Sequence, residues 1–252
     1  MGSLDGRRVL VVGGTSAIGG GIVERVRGEG AEVAFTGRCK DRGSSVALAT
    51  GSTFVPVDLN DSAAVDATVH RAHAVLGGLD GLVLVAGVLH QARISETSDE
   101  AWDAVIDTNL VAPFLVSRAC FPLLQETGGA IVAVVSGTAV WAEMELGAYS
   151  VSKRALLWMT KMLAVEGASH NVRVNAVCPG DTASGMSSFV NGRGPRDHGA
   201  PLVPPAGRYA TPSDVAAAAS FLLSDDAGFC TGTSLVVDGG MRAALRASKV
   251  RA

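Results

Sequence analysis

Two kinds of apolar pattern alternate along this chain. Short, nearly continuous apolar runs sit near 7–13, 31–36, 53–57, 80–86, 130–136, 172–178 and 234–237. Between them, apolar residues recur at helical spacing near 18–29, 61–77, 98–126, 148–169 and 211–224. Leu82-Val83-Leu84-Val85 and Ile131-Val132-Ala133-Val134-Val135 are apolar on both faces, as strands in the middle of a parallel sheet must be. Strand and helix in alternation imply right-handed crossovers. The pattern predicts an α/β fold with one parallel seven-stranded sheet, doubly wound, helices on both faces, in a single domain over 1–252. Segment 184–209 interrupts it with Pro195, Pro201, Pro204 and Pro205. A loop that long is a lid over a site or a plain surface excursion.

Composition narrows the class. The chain has 252 residues, is 48% hydrophobic and carries a net charge of −3. That is enough apolar residue for one sizeable core, excludes a disordered chain, and leaves no basic footprint for nucleic acid. Cys39, Cys120, Cys178 and Cys230 form no C-x-x-C pair and read as small apolar core residues in a reducing compartment. His70 and His73 lie three apart on a helix without cysteine or carboxylate partners, so a solvated face is expected there and no metal site. The N-terminus shows no apolar signal core, and Gly6 stands where a myristoylation signal wants Ser or Thr. No uninterrupted apolar run approaches a membrane span. A soluble, cytoplasmic protein is the expectation.

Candidate chemistry lies at both ends of the pattern. The strand Arg7–Val12 runs into Gly13-Gly14-Thr15-Ser16-Ala17-Ile18-Gly19 and then into a helix. Glycines in such a turn let backbone approach a pyrophosphate at a helix N-terminus. Far downstream, Tyr149 and Lys153 are four residues apart, on one helix face, and Ser136 precedes the tyrosine by thirteen. An ammonium beside a phenol favours the phenolate and is expected to lower a pKa that starts near ~10. A phenol so tuned passes a proton to a carbonyl oxygen or takes one from an alcohol.

Taken together, these motifs resemble the short-chain dehydrogenase/reductases over nearly the whole chain, from about Leu4 to Met241. The family's T-G-x-x-x-G-x-G turn falls on Val12, Gly13, Ala17 and Gly19. Its tetrad falls on Asn109, Ser136, Tyr149 and Lys153; its Pro-Gly on Pro179-Gly180; its closing motif on Thr231-Gly232 and Val237-Asp238-Gly239-Gly240. Ser184 replaces a family threonine, Val12 the first threonine, Ala17 the middle glycine, and Leu84-Val85-Ala86-Gly87 the usual Asn-Asn-Ala-Gly. Ala17 would add a methyl where backbone and cofactor come close.

The resemblance implies a single Rossmann domain binding a nicotinamide dinucleotide. Its contacts would come from Gly13, Thr15, Ser16, Ala17, Ile18, Gly19, Arg38, Asp58, Leu59, Ala86, Gly87, Tyr149, Lys153, Pro179, Gly180 and Thr182. It implies that Tyr149 is the general acid or base, that Ser136 donates to the substrate oxygen, and that Lys153 tunes Tyr149 and holds the nicotinamide ribose. Asn109 would position a water linking Lys153 to solvent. Asp58 would contact adenine; alternatively it caps the next helix, a role Asn60 or Asp61 suits better.

At the end of the second strand, Gly37 stands where an acid would grip a ribose 2′-hydroxyl, and Arg38 follows, with Lys40 and Arg42 close by. A guanidinium pairs with phosphate, which favours NADP(H) over NAD; the alternative is a solvated basic loop partly neutralised by Asp41. The expected activity is hydride transfer between NADP(H) and a ketone or secondary alcohol. A catalytically silent NADP-binding regulatory or interaction protein is the alternative. His90, Gln91, Trp141, Met144, Met186, Phe189 and Val190 are candidate pocket residues, and Arg193, Arg196 and Arg208 are candidates for a carrier-linked phosphate.

Helices around Asn109 and Tyr149 are apolar nearly all round, through Ala112, Phe114, Leu115, Ala119 and Phe121 on one, and Leu156, Trp158, Met162 and Val165 on the other. That pattern favours a symmetric closed assembly; the resemblance implies a homotetramer, with a dimer as the alternative. The tail 241–252 carries four basic residues and no acid; disorder is expected there, or a reach across a subunit interface.

Overall fold

The computed structural model describes residues 2–59, 61–183 and 204–244. Seven strands form one sheet, all pairs parallel: β1 (Arg8–Val12), β2 (Glu32–Gly37), β3 (Thr53–Pro56), β4 (Gly81–Leu84), β5 (Ala130–Val134), β6 (Arg173–Pro179) and β7 (Ser234–Val237). Their order is β3-β2-β1-β4-β5-β6-β7. The winding direction reverses between β1 and β4, and the crevice at such a reversal is where open α/β sheets bind ligands.

Alternate residues of each strand feed two cores. Leu10 and Val12 of β1 face one, with Val65, Val69 and Ala72 of α3 (Ser62–Leu76), Val116, Cys120 and Leu124 of α5 (Ala112–Thr127), and Leu156, Leu157 and Ala164 of α6 (Gly147–Gly167). Val9 and Val11 face the other, with Ile22, Val23 and Val26 of α1 (Ala17–Gly28) and Val215, Ala216, Ala219 and Leu222 of α7 (Pro212–Leu223). A sheet buried on both sides is why its strands read as continuous apolar runs.

Two helices escape the apolar pattern. The helix α2 (Lys40–Thr50) has one buried residue, Gly43, whereas Leu48 is 89% exposed. Gly43 lies against the Phe54 ring, where a Cβ would collide; a helix seated through a glycine leaves no apolar stripe in the sequence. The short α8 (Met241–Ala244) follows Asp238, which accepts the Gly240 and Arg242 N–H groups at 2.9 Å each. The start of the tail is thus helical; residues 245–252 lie outside the described residues.

The predicted helix 98–126 is compound. It comprises α4 (Asp99–Ile106), a turn of π-helix at Asp107–Val111, and α5. Although its apolar residues are interrupted, as expected, the stretch Asp99–Thr127 is by length and mean composition apolar enough to cross a membrane, with a mean hydropathy of 1.3 in its most apolar window. It is a core helix: Val116, Cys120 and Leu124 pack in the sheet's core, and buried Asn109 sits in its middle.

Candidate active site

The predicted site residues gather past the carboxyl ends of the strands. Gly13 follows β1, Arg38 follows β2, Asp58 lies two residues beyond β3, Ala86 and Gly87 follow β4, Ser136 lies two beyond β5, and Pro179 ends β6. The turn after β1 is tight. Gly13 has φ +94°, and a Cβ there would lie 2.6 Å from the Ala86 N. Gly19 abuts the Gly13 carbonyl, so a side chain at 19 would push α1 off the turn. Ser16 caps α1, its Oγ accepting the Gly19 N–H at 3.0 Å. Ala17, the first residue of the helix, is exposed, so the replaced glycine is not part of the turn's buried packing. Thr15 and Ile18 are half-buried beside it.

At the next strand end, Gly37 packs against the Thr15 side chain, and Arg38 is exposed beside it. Cys39 heads α2 rather than a core, and hydrogen bonding from Arg42 lowers its thiol pKa. Asp58 is exposed and Leu59 packs on the core. Asp58 does not cap α3: Asp61 does, its Oδ1 accepting the Ala63 N–H at 3.0 Å. After β4, the Val85 and Ala86 N–H groups both donate to the Val12 carbonyl, at 2.9 and 3.0 Å. Leu84 and Val85 are buried, Leu84 in the same core as Val12. Three polar family positions have become apolar together, so packing and backbone bonds close this floor.

The tetrad positions converge. Asn109 is fully buried; its Oδ1 accepts the Val88 N–H at 2.7 Å, and its Nδ2 donates to the Val88 carbonyl at 2.9 Å and to Ser152 Oγ at 3.0 Å. Its amide is therefore occupied by protein, tying the π turn to the β4 loop and to α6, and the expected water would have to use its backbone. A π turn frees carbonyls from the helical ladder. Gly87 lies close enough that a Cβ would stand 3.1 Å from Asn109 Oδ1 and 3.2 Å from Lys153 Nζ. Lys153 is 2% exposed, with its Nζ donating to the Val134 carbonyl at 3.4 Å and lying 5.8 Å from the Tyr149 ring centroid.

The electrostatics correct one expectation. Burial raises the Tyr149 pKa, opposed by a hydrogen bond from Ser136. Lys153 does not offset the rise, because its ammonium gives up its proton before the raised phenol does. Burial instead lowers Lys153 itself, to about 8. Cys178, behind the site, is pushed up to about 11 by burial and is no nucleophile.

On the opposite wall, Gly180 donates to the Val237 carbonyl and lies against Asp238. Thr182 is buried, bonds the Gly180 carbonyl at 3.1 Å and bridges Ala210. Arg208 is committed elsewhere: it pairs with both oxygens of Asp214 at 2.7 and 2.9 Å, beside the N-cap Thr211 of α7. Trp141 and His90 are half-buried, whereas Met144 and Gln91 are exposed. Ser184, Met186, Phe189, Val190, Arg193 and Arg196, with most of the 184–209 segment, lie outside the described residues. Among the described residues no cluster of three metal-ligating side chains occurs.

A strand, a glycine turn, a helix N-terminus and a buried Tyr–Lys pair on one crevice match the sequence of a large group of proteins. The family model described as enoyl-(acyl carrier protein) reductase matches residues 12–242. A 2-(S)-hydroxypropyl-CoM dehydrogenase 3 of Xanthobacter autotrophicus is 34% identical over 247 residues, covering 93% of this chain and 96% of the relative. The chain belongs to the short-chain dehydrogenase/reductase family. Two further family members are a D-threitol dehydrogenase of Mycolicibacterium smegmatis, 34% identical over 94% of this chain and 93% of its own, and a 3-oxoacyl-(acyl-carrier-protein) reductase of Chlamydia muridarum, 33% identical over 94% and 98%. These relatives are dehydrogenases and reductases acting on CH–OH groups, and the family uses nicotinamide cofactors. The chain is thus an oxidoreductase of a family that acts on alcohols, ketones or ketoacyl compounds.

Two further side chains at the site lie outside the family's motif positions. Ser152 receives the Asn109 amide, and Thr138 lies 3.0 Å from the Ser136 hydroxyl. The one clue was position: Thr138 is two residues past Ser136, in the turn that Ser136 caps.

Proposed function

We propose that this protein is an NADP(H)-dependent reductase of ketones, with Tyr149 as the general acid, run in reverse on secondary alcohols. The observation that carries the reading is the convergence of Ser136, Tyr149 and Lys153 on the crevice above β4 and β5. The cofactor supplies the hydride. Gly13, Gly19 and the N-terminus of α1 would take its pyrophosphate, and the snug glycine packing of that turn suits a backbone-lined phosphate cradle. Lys153, buried without a carboxylate partner among the described residues, would meet the ribose hydroxyls. Ser136 would donate to the substrate oxygen as charge develops there, and Tyr149 would deliver its proton.

NADP is favoured over NAD because Gly37 offers no carboxylate to a ribose 2′-hydroxyl, while Arg38 stands exposed beside it with Lys40 and Arg42. The relatives' named substrates support a small hydroxy or oxo compound. A homotetramer is supported by two separate apolar faces: Phe114, Trp158, Met162 and Val165 on α5 and α6, and Phe221, Phe229 and Leu235 on α7, the loop after it and β7. Two distinct faces, each pairing with itself, close a tetramer. One domain in the cytoplasm completes the reading.

The test is NADPH consumption with a panel of ketones: ethyl 3-oxobutanoate, acetoacetyl-CoA, dihydroxyacetone and 2-octanone. Turnover of at least one supports the reading. A protein that binds NADPH and turns over none fits the silent alternative, whose motive is the apolar Leu84-Val85 floor.

A further inference from the structure

Ser136 is held by a neighbour. Beyond β5, Ser136 caps a single 3-10 turn, Gly137–Ala139; Ser136 and Thr138 are partly exposed, whereas Gly137 and Ala139 are buried. The Trp141 indole packs against Gly137, where a Cβ would collide, and fixes the turn from behind. Ser136 Oγ accepts the Thr138 backbone N–H at 3.2 Å and lies 3.0 Å from Thr138 Oγ1. It also bonds Tyr149.

A serine hydroxyl has one proton and two lone pairs. The Thr138 N–H occupies one lone pair. Suppose the Thr138 hydroxyl donates into the second. Both acceptor sites are then filled, and the single Ser136 proton is free only for Tyr149 or a substrate oxygen. The opposite sense would engage that proton on Thr138 and turn a lone pair toward the carbonyl, against the charge that develops there. Donation by Thr138 also strengthens Ser136 as a donor, since hydrogen bonds in a chain polarise one another.

We propose that Thr138 is a positioning residue whose hydroxyl donates to Ser136 Oγ and commits the Ser136 proton to the reacting oxygen. The inference rests on the reductase reading, and it also makes a claim that needs no substrate. The chain has two tyrosines, Tyr149 and Tyr209. Ultraviolet difference titration against Tyr149→Phe therefore isolates the Tyr149 phenolate. Ser136 stabilises that phenolate, so weakening Ser136 as a donor moves phenolate formation to higher pH.

Thr138→Val keeps the shape and removes the hydroxyl. It should titrate Tyr149 at higher pH than the unmodified protein, and Thr138→Ser should restore the original value. With a ketone that is turned over, Thr138→Val should lower kcat about 2- to 10-fold, the range for one neutral hydrogen bond, with NADPH affinity unchanged and Thr138→Ser again active. Thr138→Ala serves as the second hydroxyl deletion if the valine variant does not fold. An unchanged Tyr149 titration in the hydroxyl-free variant, or a serine variant as impaired as the valine one, overturns the proposal. A shifted titration in a protein that reduces no ketone leaves Thr138 in its place and removes the reductase reading instead.

Discussion

Lys153 is the most costly residue in the site. Its ammonium is buried against a carbonyl and an aromatic ring, and burial lowers its pKa from 10.5 to about 8. The unfolded chain binds that proton more tightly, so between about pH 8 and 10.5 this group makes the cofactor-free protein more stable as pH rises. Below that window the folded protein holds a buried charge. Lys153→Met should therefore raise the stability of the cofactor-free protein at pH 7, by about 1–3 kcal/mol, flatten its rise with pH in that window, and weaken cofactor binding. Thermal melts from pH 7 to 10 with and without NADPH check all three. Residue identity and spacing in the sequence located Tyr149, Lys153 and Ser136. They did not reveal that Tyr149 is raised rather than lowered, because burial depends on what packs around a group.

At the scale of elements, every strand was legible, since each is apolar on both faces, and five helical stretches were legible from their stripes. The helix α2 was not, because Gly43 seats it on Phe54 and leaves Leu48 in solvent. The π turn was equally silent: nothing in Asp107-Thr108-Asn109-Leu110-Val111 announces it, and its cause is the Asn109 amide turning to Val88 and Ser152. Asn109→Leu would leave the Val88 N–H without its partner and should cost about 1–3 kcal/mol, read as a lowered denaturation midpoint.

In the proposed reading, the end of β2 and the start of α2 set the cofactor preference. Arg38→Ala should erode a preference for NADPH over NADH by about 1–3 kcal/mol, measured as the ratio of their dissociation constants. Equal affinities in the unmodified protein would argue for the solvated-loop alternative.

For the whole molecule, the crevice was legible because strand order follows from alternation, and a reversal of winding brings all strand ends of interest to one side. Which apolar residues of α5 and α6 remain uncovered was not legible from an all-round apolar pattern. Packing assigns Ala112, Val116, Leu156 and Leu157 to the core and leaves Trp158 59% and Val165 75% exposed. A chain with these faces should assemble. Light scattering at micromolar concentration should give a tetramer; Trp158→Glu and Phe229→Asp, each on a different face, should each reduce it to a dimer. A monomeric unmodified protein would require another cover for both faces. The most direct measurement of the central claim is NADPH oxidation by Tyr149→Phe with a ketone that the unmodified protein reduces. The account expects a loss of at least about 10²-fold in turnover, at the lower end for a general acid, with NADPH binding and melting temperature nearly unchanged. A variant that keeps most of its activity would contradict the assignment of Tyr149 as the proton donor.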